Sequence, residues 1–269
     1  MTTAAARKPI KRTPTRASAG PVLAVGSGKG GVGKTWLSVT LACLFARQGK
    51  RTLLVDGDLG LANADLQLGV RTEADLAAYM RGWVELKDAI APVAGGSGRS
   101  GGFDLLAGSS GTGALADLKG EEVSLIGQGV AKLAYHYDRV VLDLAAGVDQ
   151  SVIRLAKMAD RFLVVTTEEP TAMTDAYALI KVTHAAVRSI LPFIVVNQAD
   201  KRLDGQRTYN QLAKACEQHL QLRPAFAGVI RRDPRVSDAI RAQTPLPLRH
   251  PGADALEDVV AIMEGLALG

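Results

Sequence analysis

The chain has 269 residues, of which 47 % are hydrophobic and 22 % are charged, so its composition excludes a wholly disordered or fibrous protein. The formal net charge is +5, and residues 1–20 contribute all of this excess, because residues 21–269 contain as many basic as acidic side chains. A balanced folded body does not favour binding to nucleic acid, and we do not expect nucleic acid among its partners.

The two cysteines, Cys43 and Cys216, lie far apart and form no CxxC pair. The sequence therefore predicts neither a thiolate zinc site nor an iron–sulfur site supplied by this chain alone. No apolar run reaches the roughly 18 residues that cross a bilayer, and the basic N-terminus lacks the apolar core of a signal peptide. We expect a cytoplasmic protein in which both cysteines pack as small apolar residues.

The N-terminal segment differs from the rest of the chain in composition. Residues 1–20 are rich in Thr, Ala, Pro and basic side chains and show no periodicity, which predicts a disordered basic tail. An accessory contact of this tail with anionic lipid or nucleic acid is the alternative. Residues 21–269 are predicted to form a single domain.

Short apolar strands alternate with segments of helical periodicity after residue 21. Predicted strands cover residues 22–26, 52–55, 103–106, 140–142, 162–165, 193–196 and 226–230, and predicted helices cover residues 34–47, 121–135, 150–157, 173–189, 204–219 and 253–266. This alternation is typical of an α/β fold with a mostly parallel twisted sheet and helices on both faces. The glycine-rich residues 95–102 are predicted to be a flexible surface loop, with a domain linker as the alternative.

A phosphate-binding loop is predicted between the first strand and the first helix, where the sequence fits GxxxxGK[ST]. Its glycines let backbone N–H groups turn toward a phosphate, and the helix N-terminus adds a positive dipole end. Lys34 is expected to reach the β- and γ-phosphates, and the Thr35 hydroxyl to ligate Mg²⁺. The predicted nucleotide-binding residues here are Gly28, Lys29, Gly30, Gly31, Val32, Gly33, Lys34, Thr35 and Trp36.

Three aspartates follow two of the apolar strands. Asp56 closes the second predicted strand, Asp58 lies two residues further on, and Asp143 closes the strand at 140–142. A parallel sheet places its ligand crevice at the carboxyl ends of its strands, so all three acids are expected at the phosphate end. Mg²⁺ prefers hard oxygen ligands. We assign Asp56 to the metal shell and Asp143 to the metal through water.

The stretch from Lys29 to Thr35, KGGVGKT, resembles the KGGxGK[ST] signature of the deviant-P-loop ATPases of the MinD/ParA group. The resemblance implies a P-loop ATPase domain over residues 21–269, with ATP and Mg²⁺ as ligands. It also implies a homodimer in the ATP state, in which Lys29 reaches the nucleotide of the partner subunit; a solvated loop charge is the alternative.

The same resemblance implies further roles for residues outside the loop. Asp58 would position the attacking water, so that Lys29, Lys34 and Asp58 are the catalytic residues; a simple surface turn is the alternative for Asp58. Asn197, which ends the strand at 193–196, would recognise adenine, with a turn cap as the alternative. Trp36 stands where the group usually has a small polar residue, so a hydroxyl contact with the α-phosphate would be lost.

Four segments resemble the flagellar-number regulators FlhG and FleN within this group, namely residues 58–65, 105–111, 143–147 and 169–177. The resemblance implies a slow ATPase that regulates flagellar number or placement with a protein partner, such as a flagellar GTPase, a basal-body component or a transcription regulator. Two alternatives stay open. One is a positioning ATPase of the same fold for another cargo, such as a division site, chromosome or plasmid; the other is a nucleotide-dependent regulator of a transcription activator with little turnover.

The last predicted helix, residues 253–266, is acidic. It contains Asp254, Glu257, Asp258 and Glu264 and neither lysine nor arginine. A helix that docks on a membrane carries basic residues on its polar face. Membrane contact is therefore expected to be weak or absent, and a protein partner would recruit the chain to the cell pole or to the inner face of the membrane.

Overall fold

The computed structural model describes residues 19–99, 101–109, 115 and 118–266. Its strands are β1 (Val22–Ser27), β2 (Thr52–Gly57), β3 (Ile90–Val93), β4 (Phe103–Leu106), β5 (Arg139–Ala146), β6 (Arg161–Thr166), β7 (Pro192–Ala199) and β8 (Ala225–Arg231). Its α-helices are α1 (Lys34–Arg47), α2 (Ala64–Leu68), α3 (Leu76–Met80), α4 (Gly120–Leu133), α5 (Gln150–Ala156), α6 (Pro170–Ala186), α7 (Arg202–Leu220), α8 (Pro234–Arg241), α9 (Leu246–Arg249) and α10 (Asp254–Gly265).

The strands form one eight-stranded sheet in the order β3-β4-β2-β5-β1-β6-β7-β8. All neighbours are parallel except β3, which is antiparallel to β4. The predicted mostly parallel sheet is therefore confirmed. The sequence did not indicate β3, because this half-buried edge strand is short and contains Pro92, a residue that strand patterns exclude from sheet interiors.

Each face of the sheet is covered by its own layer of helices. Apolar residues of α3, α4, α5, α6 and α7 pack on one face, and those of α1, α8, α9 and α10 on the other. Helix α1 is buried from Trp36 to Ala46, as expected for a helix that is apolar on all sides. Cys43 in α1 and Cys216 in α7 are buried thiols, and burial raises the pKa of each to about 11.

The glycine-rich segment predicted to be a loop connects β3 to β4. Ser97 attaches it to β2, since its Oγ donates to the Thr52 carbonyl at 2.8 Å and accepts from the Thr52 N–H at 3.3 Å. Most of the predicted N-terminal tail lies outside the described residues; its last residue, Gly20, donates its N–H to the Ala134 carbonyl at 2.8 Å. Residues 110–111 and 267–269 also lie outside the described residues.

The acidic polar face of α10 is paired within the molecule. The Asp258 carboxylate, 2 % exposed, receives Arg202 at 2.6 Å and Arg231 at 2.8 Å. Arg231 also binds Glu257 at 3.0 Å, so these acids fasten α10 to β8 and to the start of α7. Within the part of the chain that the structure describes, no helix is both long enough and apolar enough to cross a membrane.

Candidate functional site

The loop between β1 and α1 is built by left-handed glycines. Gly31 has φ +81° and Gly33, the N-cap of α1, has φ +95°. L side chains rarely adopt these angles, so glycine is required at both positions. At Gly28, an added Cβ would lie 2.0 Å from the Asp175 carbonyl oxygen of α6. The predicted phosphate-binding residues therefore lie together in this loop and in the first three residues of α1, and the loop meets α6 at Gly28.

Asp56 and Asp143 lie side by side at this end of the sheet, paired in register on β2 and β5. Each is only 1 % exposed. Burial and the neighbouring carboxylate raise the pKa of Asp56, and burial raises the pKa of Asp143, although the Lys34 charge opposes this shift. Both acids lie inside their strands rather than after them, because β2 and β5 extend beyond the apolar runs that predicted them.

Asp143 is held by α1. Its Oδ1 accepts from the Ser38 hydroxyl at 2.9 Å, and the nearby Thr35 hydroxyl acts with Ser38 to oppose the rise in the pKa of Asp143. Ser38 was not indicated by the motif, which ends at Thr35. The sequence feature that could have identified Ser38 is its position: it is a polar residue in a largely apolar helix, one helical turn after Lys34 and so on the same face.

Asp56 organises the segment that follows β2. Its Oδ1 accepts from the Asp58 N–H at 3.1 Å, and its Oδ2 accepts from the N–H groups of Asn63 and Ala64 at 2.9 Å. Asp58 in turn accepts from the Leu61 N–H at 2.9 Å, which is the turn contact of the alternative prediction. Asp58 nevertheless lies close enough for its charge to raise the pKa of Asp143. Its proposed role in positioning water stays a prediction.

The hard-oxygen donors expected for Mg²⁺ converge here. Thr35 supplies a hydroxyl, and Asp56 and Asp143 supply two carboxylates that are buried side by side, where burial raises the pKa of each. A divalent cation that prefers oxygen ligands fits this donor set. Their assignment as metal-binding residues stays a prediction that the donor chemistry supports.

The second lysine of the loop does not point into its own loop. Lys29 Nζ lies 2.7 Å from Glu169 Oε2 and 2.9 Å from Thr171 Oγ1, at the start of α6. The ion pair lowers the pKa of Glu169. Both side chains are solvent-accessible, at 39 % and 65 % exposure. Lys29 is therefore held in its own subunit by a pair that solvent, or another molecule, can reach.

Asn197 lies beneath the loop. Its Nδ2 donates to the Val32 carbonyl at 2.8 Å, and its Oδ1 accepts from the Gln198 N–H at 2.9 Å. The second contact is that of the turn-cap alternative, and recognition of adenine stays a prediction. Gln198, which the sequence did not single out, donates from Nε2 to the Gly31 carbonyl at 3.3 Å.

A cavity of about 540 Å³ opens beside the loop. Gly33, Thr35 and Trp36 line one side, and Asn63, Leu66, Gln67, Ile240 and Gln243 are among the residues on the other. Trp36 is 4 % exposed, and its indole Nε1 has no hydrogen-bond partner among the described residues. The cavity is large enough for part of a nucleotide and lies directly against the start of α1.

Comparison with known proteins agrees with this geometry. Residues 23–246 match the family model described as the CobQ/CobB/MinD/ParA nucleotide binding domain. The antiactivator FleN of Pseudomonas aeruginosa is 35 % identical over 222 residues, which cover 82 % of this chain and 77 % of FleN. The flagellum site-determining protein YlxH of Helicobacter pylori is 30 % identical over 200 residues, which cover 74 % of this chain and 65 % of YlxH.

Solved structures show the same fold. The septum site-determining protein MinD of Pyrococcus horikoshii, complexed with Mg-ADP, superimposes with a TM-score of 0.76 at 21 % identity, over 92 % of this chain and 96 % of MinD. The resemblance carried by residues 29–35 and by the four flagellar-type segments is confirmed by the family model and by FleN and YlxH. The chain belongs to the CobQ/CobB/MinD/ParA nucleotide-binding family, on the branch that includes FleN.

Proposed function

We propose that this protein is an ATP-binding, slowly ATP-hydrolysing switch that dimerises with ATP and regulates flagellar number or placement. The relatives FleN, an antiactivator, and YlxH, a flagellum site-determining protein, support the flagellar assignment. The Mg-ADP held by the structurally similar MinD supports nucleotide and Mg²⁺ as ligands.

The observation that carries the proposal is the position of Lys29. This lysine lies inside the phosphate-binding loop yet binds Glu169 and Thr171 outside it. In the proposed ATP dimer, the Lys29 ammonium leaves Glu169 and binds a phosphate of the partner subunit's nucleotide. Each site then becomes complete only when a second subunit docks, which couples hydrolysis to association.

Phosphoryl transfer mainly requires that the reacting groups are positioned and that the charge on the phosphates is neutralised, and each site would supply both. Loop N–H groups and Lys34 bind the phosphates, while Thr35, Asp56 and Asp143 would hold Mg²⁺. When bound, Mg²⁺ supplies positive charge to the phosphate oxygens. Asp58 orients the attacking water. Hydrolysis is slow in the monomer because the last cation comes from the partner; in comparable systems such a cation contributes about 10³–10⁵-fold.

A transcription activator is the partner class that the relatives favour, since FleN is named as an antiactivator. Such a partner would act on this chain in the cytoplasm and would bring it to the cell pole or the inner face of the membrane. A second candidate is a positioning ATPase for another cargo, which the structural similarity to the septum site-determining MinD favours.

Light scattering tests the switch. The protein is expected to be monomeric with ADP and dimeric with ATP and Mg²⁺, because only ATP presents the phosphate that Lys29 would bind in the partner. Lys29→Ala should abolish the dimer and spare ADP binding, whereas Lys214→Ala, which removes an exposed lysine of α7, should behave as wild type. Identical scattering in ADP and ATP would contradict the proposal. Counting flagella in cells that carry Lys29→Ala distinguishes the flagellar function from another cargo.

A further inference from the structure

We propose that the turn at the end of β7 is a template that shapes the phosphate-binding loop, with Asn197 and Gln198 as its positioning residues. Two consecutive amide side chains hold two consecutive loop carbonyls: Asn197 Nδ2 holds Val32 O at 2.8 Å, and Gln198 Nε2 holds Gly31 O at 3.3 Å. The inference rests on the proposed nucleotide function and assigns a cause to the shape of its site.

The planarity of the peptide bond makes these two contacts consequential. A carbonyl and the N–H of the next residue point in opposite directions across one rigid peptide unit. Holding the carbonyls of Gly31 and Val32 outward, toward β7, therefore turns the N–H groups of Val32 and Gly33 inward. Inward N–H groups in such a loop form the concave site that binds a phosphate. The template thus prepares the phosphate donors before any nucleotide arrives.

The backbone of the turn is held in an unfavourable conformation that places these two amides. Gln198 has φ +57°, a left-handed conformation that is unfavourable for glutamine, and the pairing of β7 with β8 shifts register between Val196 and Ala199. Strained backbone of this kind persists only where the surroundings hold it. At Gly33, an added Cβ would lie 2.4 Å from Asn197 Nδ2, so the loop glycine and the amide fit each other.

The template differs in its consequences from recognition of the base. An Asn197 that only reads adenine would affect ligands that contain a base and leave a bare phosphate chain unaffected. A template affects every ligand that binds through the loop. ADP and inorganic pyrophosphate, each with Mg²⁺, are therefore the two probes, with affinities measured by calorimetry.

Gln198→Ala should lower the affinities for ADP and for pyrophosphate by the same factor, about fivefold for the loss of one hydrogen bond. Gln198→Gly should recover thermal stability relative to Gln198→Ala, because glycine tolerates the left-handed backbone, while the loss of affinity remains. The matched control is Gln221→Ala, since Gln221 is also left-handed, with φ +53°, and ends α7, where its backbone N–H donates to the Cys216 carbonyl. It should bind both ligands as wild type.

Two further measurements decide the proposal. Without any ligand, amide hydrogen exchange of residues 31–35 should accelerate in Gln198→Ala and not in Gln221→Ala. Asn197→Ala should lower the affinities for ADP and for pyrophosphate by the same factor. The proposal would be overturned if Gln198→Ala kept wild-type affinities and exchange rates. It would also be overturned if Asn197→Ala lowered the affinity for ADP and left that for pyrophosphate unchanged. Wild-type protein that binds no adenine nucleotide would instead overturn the proposed function, and the exchange experiment would still test the template.

Discussion

The buried hydroxyl of Ser38 connects the first turn of α1 to the carboxylate of Asp143. Ser38 has no solvent exposure, and its Oγ lies 2.9 Å from Asp143 Oδ1 and 3.0 Å from the Lys34 carbonyl. These contacts fix which way the Asp143 carboxylate faces. The serine therefore orients an acid that, in the proposed site, holds Mg²⁺.

Ser38→Ala should weaken ADP binding in Mg²⁺ by about fivefold and leave binding in excess chelator unchanged, because the hydrogen bond lost from Asp143 orients the acid proposed for the metal. Calorimetric titration with and without Mg²⁺ measures the difference. Thr40→Val is the control: its hydroxyl is equally buried on α1 but donates to the Trp36 carbonyl, at 2.8 Å, rather than to Asp143. Equal losses in both conditions would show that Ser38 does not act through Asp143.

Glu169→Gln should favour the ATP dimer, because Lys29 then leaves a neutral amide rather than a carboxylate. An exposed ion pair contributes little, so dimerisation is expected at about two- to fivefold lower protein concentration. Light scattering against concentration in ATP measures this shift. Glu85→Gln is the control, since it breaks another exposed pair, with Lys87, away from the site. A weaker dimer in Glu169→Gln would mean that Glu169 itself contributes to the interface.

For individual residues, the sequence predicted the motif whose members are adjacent in the chain and missed the contacts between residues that are far apart in the chain. The loop from Gly28 to Thr35 is one contiguous motif between a strand and a helix, so its shape followed from spacing. The contact of Asn197 with Val32 spans 165 positions. Periodicity places Asn197 at the end of a strand but cannot reveal which backbone its amide meets.

Among the elements, α10 gives the acidic C-terminal stretch a structural explanation. Its apolar side packs on the sheet through residues such as Val259 and Ile262. Its acids bind arginines of α7 and β8, with Asp258 at the centre of the network. The acidic face is consequently part of the fold's internal contacts.

Asp258→Asn should lower the free energy of unfolding by about 2 kcal/mol, because two arginines and the Arg231 N–H lose a charged acceptor that is 2 % exposed. Urea denaturation measures this change. Glu257→Gln, which removes a 67 % exposed acid bound to the same two arginines, should change stability by less than about 0.5 kcal/mol. Equal effects would show that burial is not what gives Asp258 its importance.

The same acid predicts a pH dependence. Hydrogen bonds from Arg231 and Arg202 outweigh burial and lower the pKa of Asp258 in the folded state. A lowered folded pKa means that the stabilisation is fully present above the unfolded pKa, near 4 for aspartate, and is lost as pH falls through the folded value. Asp258→Asn should remove this part of the acid sensitivity, which denaturation at a series of pH values records.

Longer elements were predictable because their apolar pattern is self-contained, as in β5 or α4. The short helices α2, α3, α8 and α9 and the strand β3 were not predicted. A helix of one or two turns has little stability of its own and depends on its neighbours. Helix α2, for example, begins where Asp56, eight residues before it, accepts the Ala64 N–H.

For the whole molecule, the distribution of charge predicts how it meets a membrane. The polar face of α10 carries acids that pair with arginines of the same molecule, which is not the basic face that docks on anionic lipid. Each of the basic residues in 1–20 contributes at most about 1 kcal/mol near such a surface. Vesicles rich in phosphatidylglycerol should therefore pull down the protein in ATP only at low salt. Deleting residues 1–20 should abolish this sedimentation. Salt-resistant sedimentation of the deleted protein would contradict the prediction.

Helix α6 connects the two ends of the sheet. Its first turns touch the phosphate-binding loop through Glu169, Thr171 and the Asp175 carbonyl that abuts Gly28. From there its 17 residues extend about 25 Å to the opposite end, where β1 begins. The helix thus spans the molecule from the phosphate-binding loop, which it meets at Gly28, to the end of the sheet at which β1 begins. In the proposed ATP dimer, release of Glu169 by Lys29 would remove a tether between the loop and the first turn of α6, so a change at the nucleotide site would act on a helix that reaches the opposite side of the molecule.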